Sequence, residues 1–166
     1  MKLSPWSVWA GTDGMAANAA ATFAQRVERW GYSALWIPEA IGRDPLVHAA
    51  WLLANTERLI LATGIANIYA RDATAMAAGQ ITLAEQSGGR FLLGLGVSHA
   101  PMVEGRGHHY GKPVASMQAY LRAMKEAPSI APNRYRRARR ILAYRASCRR
   151  PWPKEICLRP TPSLVS

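Results

Sequence analysis

The feature that most limits the fold of this chain is a unit that returns along its length. Each unit is a short, uniformly apolar run, then a segment of helical period, then a glycine or a turn. WSVWA (6–10), ALWIPEA (34–40), RLILATG (58–64) and RFLLGLGV (90–97) are the apolar runs, starting roughly 25–32 residues apart. After the first, Ala20, Phe23, Ala24, Val27 and Trp30 share one helical face, with Asp13 as the expected cap and Gly31 as the stop. Asp44-Pro45 opens a second helix that continues through Leu53. Asp72 starts a third, which stops at Gly88-Gly89, and a fourth over 116–127 turns Met117, Tyr120, Leu121 and Met124 inward. Strands joined through crossover helices are parallel, and strands apolar along their whole length are covered on both faces. The expected class is therefore α/β. An open doubly wound sheet and the N-terminal (β/α)4 half of a TIM-type (β/α)8 barrel both satisfy the pattern, a complete barrel needing ~250 residues.

The pattern stops near Pro128, and the charge distribution changes there. The chain carries a net charge of +11, yet residues 1–127 are close to balanced, whereas 128–166 hold nine arginines and one lysine against Glu155 alone. All thirteen glycines fall at or before Gly111, while six of the eleven prolines and both cysteines follow residue 127. The expected organisation is a domain over 1–127 and an irregular basic tail over 128–166. A helical piece around 136–145 can be drawn, but Ile141, Leu142 and Tyr144 give it no extended apolar stripe. RRARR with Tyr135 and Tyr144 nearby is chemistry that contacts phosphates in a salt-dependent way. Such composition more often belongs to a solvated segment, so nucleic acid is not the expected partner. Cys148 and Cys157 fit no zinc or redox spacing, no leader pattern opens the chain, and no apolar stretch approaches ~20 residues. A reduced, cytoplasmic setting is expected.

Parallel α/β proteins collect ligands at the C-terminal ends of their strands. Two ionisable side chains lie directly on those ends, Glu39 and His99, and a carboxylate with an imidazole at one mouth can manage a proton. The plainer alternative has Glu39 capping the next helix and His99 as an ordinary loop residue. GLGVSH (94–99) lacks the third glycine of a dinucleotide fingerprint, although its glycines would let backbone approach a ring or a phosphate. His108-His109 has no acidic ligands nearby, so no metal is expected; His48 sits inside a helix and reads as structural. Trp9 stands where a flat group could stack. LATGIANIYARD (61–72) is the oddest stretch, because a buried strand ends in a glycine followed by a β-branched residue.

The segment ERLILATGIANIYARDATAMAAGQITLAEQSGGRFLLGLGVSHAPMVEGRGHHYGKP (57–113), with WSVWAG, GYSALWIPEAIGRDPL and SMQAYLRAM around it, resembles the luciferase-like monooxygenase superfamily. Within it, the resemblance is to the branch of oxidoreductases that use the deazaflavin coenzyme F420, and it spans about residues 5–127. It implies a (β/α)8 barrel with F420, or alternatively FMN, at the C-terminal mouth. It also implies a third strand ending in a bulge with a non-prolyl cis peptide, matched here by Gly64-Ile65. By the same resemblance, Glu39 and His99 are the expected catalytic pair. Thr63, Gly64, Ile65, Asn67, Gly96 and Ser98 are the expected cofactor contacts, Asp72 a helix cap and Arg71 a structural residue. The implied chemistry is hydride transfer to or from a small organic substrate.

A complete member would continue into strands five to eight. The tail resembles none of them, so residues after about 128 are expected to be an out-of-frame or degenerate reading of a longer gene. Four units alone would leave open strand edges and inward faces exposed to water. Pairing of two copies through those edges is the oligomer such a chain could form. Weak or absent cofactor binding is then the expectation, with an inactive fragment as the competing outcome.

Overall fold

Local chemistry fixes where most of the helices begin. In the computed structural model, which describes residues 3, 5–128 and 141–143, the strands are β1 (Val8–Trp9), β2 (Ala34–Ile37), β3 (Ile60–Thr63), β4 (Ala66–Asn67), β5 (Phe91–Gly96) and β6 (Ile141–Ala143). The helices are α1 (Ala17–Arg29), α2 (Pro45–Ala54), α3 (Ala73–Gln86), α4 (Ala100–Glu104) and α5 (Pro113–Glu126). Asp44 caps α2, its Oδ1 accepting from the N–H groups of Leu46 and Val47 at 2.8 and 3.0 Å, with Pro45 in the first turn. Asp72 caps α3 by accepting from Ala75 N–H at 2.8 Å. Asp13, by contrast, caps nothing: α1 starts three residues beyond Gly14, after a turn closed by Met15 N–H to Thr12 C=O. Asp13-Gly14 is a turn pair, and the turn takes precedence over the cap. Helix α5 starts at Pro113 rather than Ser116, again using proline in a first turn, and the short α4 precedes it unannounced by any sequence period.

Every strand pairing is parallel. β1 pairs with β2, β2 with β3, both β3 and β4 with β5, and β5 with β6. β3 and β4 are two halves of one strand. The first half matches Leu61 to Phe91 and Ala62 to Leu92, while the second matches Ala66 to Leu95 and Asn67 to Gly96. Between those pairs the third strand spends one residue more than β5, so the expected bulge is present at Thr63–Gly64–Ile65. The peptide joining Gly64 to Ile65 is cis.

The main core lies between the sheet and its helices. Leu35, Ile37, Leu61, Leu93 and Leu95 of the strands meet Ala24 and Val27 of α1, Leu52 of α2, Met76 of α3 and Met124 of α5. Trp30, expected on the buried face of α1, is 64% exposed at the helix end. Helices α2 and α3 approach closely at Gly79, where an added Cβ would lie 2.8 Å from Leu46 Cδ1. On the opposite face of the sheet, Ala34, Ile60, Ala62 and Leu92 form a second, smaller cluster with Trp36 packed on it. These four residues are at most 4% exposed, while Trp9, which pairs with Trp36 on the same face, is 62% exposed, so the inward face is covered at this cluster and open at the β1 edge. Two of the four are alanines, and Trp36 reaches along the strands to donate its indole N–H to Ser7 Oγ.

In the segment expected to be irregular, Ile141–Ala143 adds a parallel strand beside Leu93–Leu95, where a helical piece had been conceivable. The basic run RRARR, the tail's two tyrosines and both cysteines lie outside the described residues.

Candidate active site at the end of the third strand

The bulge changes how the third strand is held on its β2 side. The regular ladder reaches Ile37 paired with Thr63, with Gly64 N–H donating to Ile37 C=O at 2.8 Å. In an unbroken ladder the Glu39 N–H would next reach the carbonyl of Gly64. It goes to Ile65 C=O instead, at 3.0 Å. The Gly64 carbonyl so released accepts the indole N–H of Trp9 at 2.9 Å. Trp9 is thus tethered across the strand mouth while remaining 62% exposed, and a Cβ on Gly64 would press to 3.2 Å from its indole.

On the β5 side, Thr63 is fully buried and its hydroxyl accepts from Gly94 N–H and donates to Gly94 C=O, both at 2.8 Å. An added Cβ at Gly94 would fall 2.0 Å from the Thr63 carbonyl oxygen, and one at Gly96 would fall 2.5 Å from Ile65 Cγ1. These glycines make room for the bulge itself, where the sequence had offered them as an approach for ligand backbone contacts. The half-buried Ile65 side chain lies over Gly96. Trp9, Gly64 and Ile65 therefore form an apolar surface at the mouth. All three are at least partly exposed, and polar residues follow at the next strand end.

Those polar residues are Ser98 and His99. Ser98 turns the chain out of β5 at φ +58°, in the left-handed region, and its carbonyl accepts from Tyr110 Oη at 3.3 Å. His99 is exposed at the N-cap of α4 and makes no side-chain capping bond.

Glu39 and Asn67 are committed to bonds within the protein. Asn67 is buried, and its Oδ1 accepts from Tyr69 N–H at 3.0 Å, closing a local turn. Glu39 Oε2 accepts from Asn67 N–H at 2.7 Å and from Arg71 Nη1 at 3.0 Å, while Oε1 accepts from Arg71 Nη2 at 2.9 Å. Arg71 also donates to Asp44 Oδ2 at 3.0 Å, and its carbonyl accepts from Tyr120 Oη at 2.9 Å. Burial alone would pull the Arg71 guanidinium pKa down; its bonds to Glu39 and the charges of Glu39 and Asp44 outweigh that and raise it. For Asp44, burial pushes upward, but the N–H of Val47 and the charge of Arg71 hold the carboxyl below its ordinary range. Tyr120 is pushed well up, chiefly by burial. Arg106 stands 3.9 Å from Glu39 Oε1 and is considerably more exposed than Arg71.

The structure thus brings Glu39, Gly64, Ile65 and Asn67 together at one bulge, with Thr63, Gly94 and Gly96 behind it. Arg106 escaped the sequence reading, because a lone arginine in a Gly-rich loop has no period or motif to mark it. Arg71 was visible only as a structural residue. His48, read as structural, is buried on α2 and shares a 2.8 Å hydrogen bond with Thr12 Oγ1. His108 and His109 are exposed, and the described residues contain no cluster of three or more His, Cys, Asp or Glu able to hold a metal. No helix among them is long and apolar enough to cross a membrane.

Comparison with known proteins gives a consistent set of likenesses. Residues 2–164 match the family model described as luciferase-like monooxygenase, a match that continues past residue 127 into the tail. A putative coenzyme F420-dependent oxidoreductase of Mycobacterium tuberculosis is 37% identical over 97 residues, covering 58% of this chain and 28% of that protein. The 5,10-methylenetetrahydromethanopterin reductase of Methanolobus tindarius is 29% identical over 106 residues, 63% of this chain and 32% of the relative. The chain therefore spans about a third or less of the length of these relatives. Among solved structures, monooxygenase RslO1 from Streptomyces bottropensis superposes with a TM-score of 0.68 at 17% identity, over 86% of this chain and 53% of that one. The coenzyme F420-dependent tetrahydromethanopterin reductase from Methanopyrus kandleri gives 0.66 at 17% identity, over 75% and 40%.

Proposed function

The chain belongs to the luciferase-like monooxygenase family, and on that premise we propose that it is the ring-binding N-terminal half of an oxidoreductase that uses coenzyme F420, with FMN as the alternative. The observation that carries this reading is the bulge: Gly64 and Ile65 displaced from the ladder, Trp9 tethered to the released carbonyl, and Ile65 seated on Gly96. The relatives named for F420 dependence favour the deazaflavin over FMN. When bound, such a ring supplies hydride transfer to or from a small organic substrate.

The protein's own part is to place that ring. Trp9, Gly64 and Ile65 would back its face, Gly96 and Ser98 would border it, and Thr63 and Asn67 would hold the bulge in shape from behind. His99 would carry the proton at the substrate side, since its imidazole is exposed at the mouth and engaged by no capping bond. The contacts proposed here are to the ring, and none of the described residues is assigned to the remainder of the cofactor. Binding by this chain alone is therefore weak, with Kd on the order of 0.1 mM or above, because few contacts offset the cost of association.

Fluorescence titration with F420 and FMN tests the reading. A saturable quench that disappears in Trp9→Phe and weakens in Ile65→Asp is expected. A chain that is folded by circular dichroism yet shows no Trp9-dependent quench at millimolar ring would overturn it.

A further inference from the structure

Glu39 was marked by sequence as half of a proton-handling pair, but its surroundings assign it other work. We propose that Glu39 is a positioning residue: its carboxylate, locked by Arg71, stands in for the missing continuation of strand β2 and sets the displacement of the ring-facing bulge. The role of the shelf as a ring site rests on the function proposed above; the brace itself does not.

Strand β2 ends at Ile37, while the third strand runs on to Asn67. Past Ile37 the third strand still needs partners on that side, and Glu39 supplies two of them. Its N–H donates to Ile65 C=O at 3.0 Å, and its Oε2 accepts from Asn67 N–H at 2.7 Å. One residue thus grips the strand on both sides of Ala66, first with its backbone and then with its side chain. In a ladder shifted by the bulge, the Asn67 N–H would fall to the backbone carbonyl of Glu39. The carboxylate takes that bond instead, which frees the main chain to turn toward α2.

A flexible glutamate would make a poor substitute for backbone, and Arg71 removes the flexibility. The guanidinium binds both carboxylate oxygens in the bidentate geometry that fixes orientation as well as charge. Arg71 is itself tied down by Asp44 at the start of α2, and its carbonyl by Tyr120 of α5. The Glu39 side chain is 5% exposed. An acid or base that exchanges protons with substrate needs a free, reachable oxygen, whereas both of these are engaged from inside the protein. The exposed groups at the mouth are His99 and, 3.9 Å from Glu39, Arg106.

The two roles separate on substitution of Arg71, which leaves the Glu39 carboxylate in place. Amide hydrogen exchange in the full chain would compare Asn67 N–H with Leu61 N–H, which is bonded to Arg90 C=O at the far end of the same strand. The brace predicts that Arg71→Met raises the Asn67-to-Leu61 rate ratio about tenfold or more. The Trp9 quench at fixed, subsaturating FMN should fall with it. Glu39→Gln should do the same, and the double variant Glu39→Gln/Arg71→Met should be no worse than either single one. That double variant also removes the unpaired buried charge that could keep Arg71→Met from folding. An unchanged ratio in Glu39→Gln and in the double variant would overturn the brace. So would a ratio that responds to Glu39→Gln but not to loss of Arg71. If the ring binds nowhere, the exchange ratio still decides the brace, and only the function proposed above fails.

Discussion

The two ends of the third strand use the same residue types for opposite purposes. At its N-terminal end, Glu28 from the last turn of α1 accepts from the N–H groups of Glu57, Arg58 and Leu59. Arg90 completes that end by donating to the carbonyls of Leu53 and Leu59 at 2.9 and 3.1 Å. At the C-terminal end a second glutamate accepts from a strand N–H, and a second arginine holds it. The lower pair closes a regular ladder. The upper pair holds an irregular one open, with Trp9 and Ile65 left partly exposed where a regular strand would bury them. Barrel enzymes divide their labour in this way, with stability at the N-terminal face and chemistry at the C-terminal face. The comparison shows that a glutamate and an arginine at a strand end say nothing of function by themselves; what they are bonded to does.

The largest expected effect separates two glycines that look equivalent in GLG. Gly94→Ala sets a Cβ against the backbone carbonyl of Thr63 at 2.0 Å, which no rotamer change relieves. It should cost about 3 kcal/mol or more in urea unfolding. Gly96→Ala meets only the Ile65 side chain, which can move, so about 1–3 kcal/mol is expected. That smaller loss should come with a weaker Trp9 quench, because the displaced group is part of the shelf. Equal costs for the two substitutions would break the distinction between scaffold and shelf.

At the lower end, Glu28→Gln should lower stability by about 1–2 kcal/mol, since several strand N–H groups lose their charged acceptor. It should leave the Trp9 quench unchanged. An effect of Glu28→Gln on the quench larger than that of Glu39→Gln would invert the comparison.

The smallest effect is a pH dependence with a defined sign. Burial, and then the charge of Arg43, hold His48 below its ordinary pKa of 6.5, Asp13 opposing them. The folded chain therefore binds fewer protons than the unfolded one just below pH 6.5, and stability is lost as pH falls through that window. The carboxyls of Asp44 and Glu28 are also held low. For Glu28, burial pushes upward but the N–H groups of Arg58, Leu59 and Glu57 prevail. A second loss therefore follows in the ordinary carboxylate range. Thermal midpoints against pH should be flat from neutral to mildly alkaline conditions and fall in two steps on acidification. Replacement of His48 by Gln should remove the first step alone.

Much of this was legible in the chain before the structure. The alternation of apolar runs with helical segments determined the parallel sheet, because crossover length and uniform apolarity admit few other solutions. Asp44-Pro45 and Asp72 marked two helix starts by the chemistry of capping. The odd sequence Thr63-Gly64-Ile65 marked an irregular strand end, and the family resemblance placed the bulge there. What stayed hidden depends on distance along the chain. Nothing local shows that Glu39 and Arg71, 32 positions apart, share a fork of hydrogen bonds. Nor does local sequence show that Gly94 and Gly96 serve residues some thirty positions earlier. Asp13 misled for the opposite reason: a good local cap was adjacent to a better local turn.

The central claim is that the bulge presents Trp9 and Ile65 to a planar redox ring. It is tested most directly by nuclear magnetic resonance of the isotopically labelled chain during addition of F420 and, separately, FMN. The account predicts ring-current shifts concentrated on the Ile65 Cδ1 methyl and the Trp9 indole N–H, larger for F420 at equal concentration, with Leu61 and Leu93 unmoved. Shifts spread over the surface, or confined to residues remote from Gly64, would contradict it.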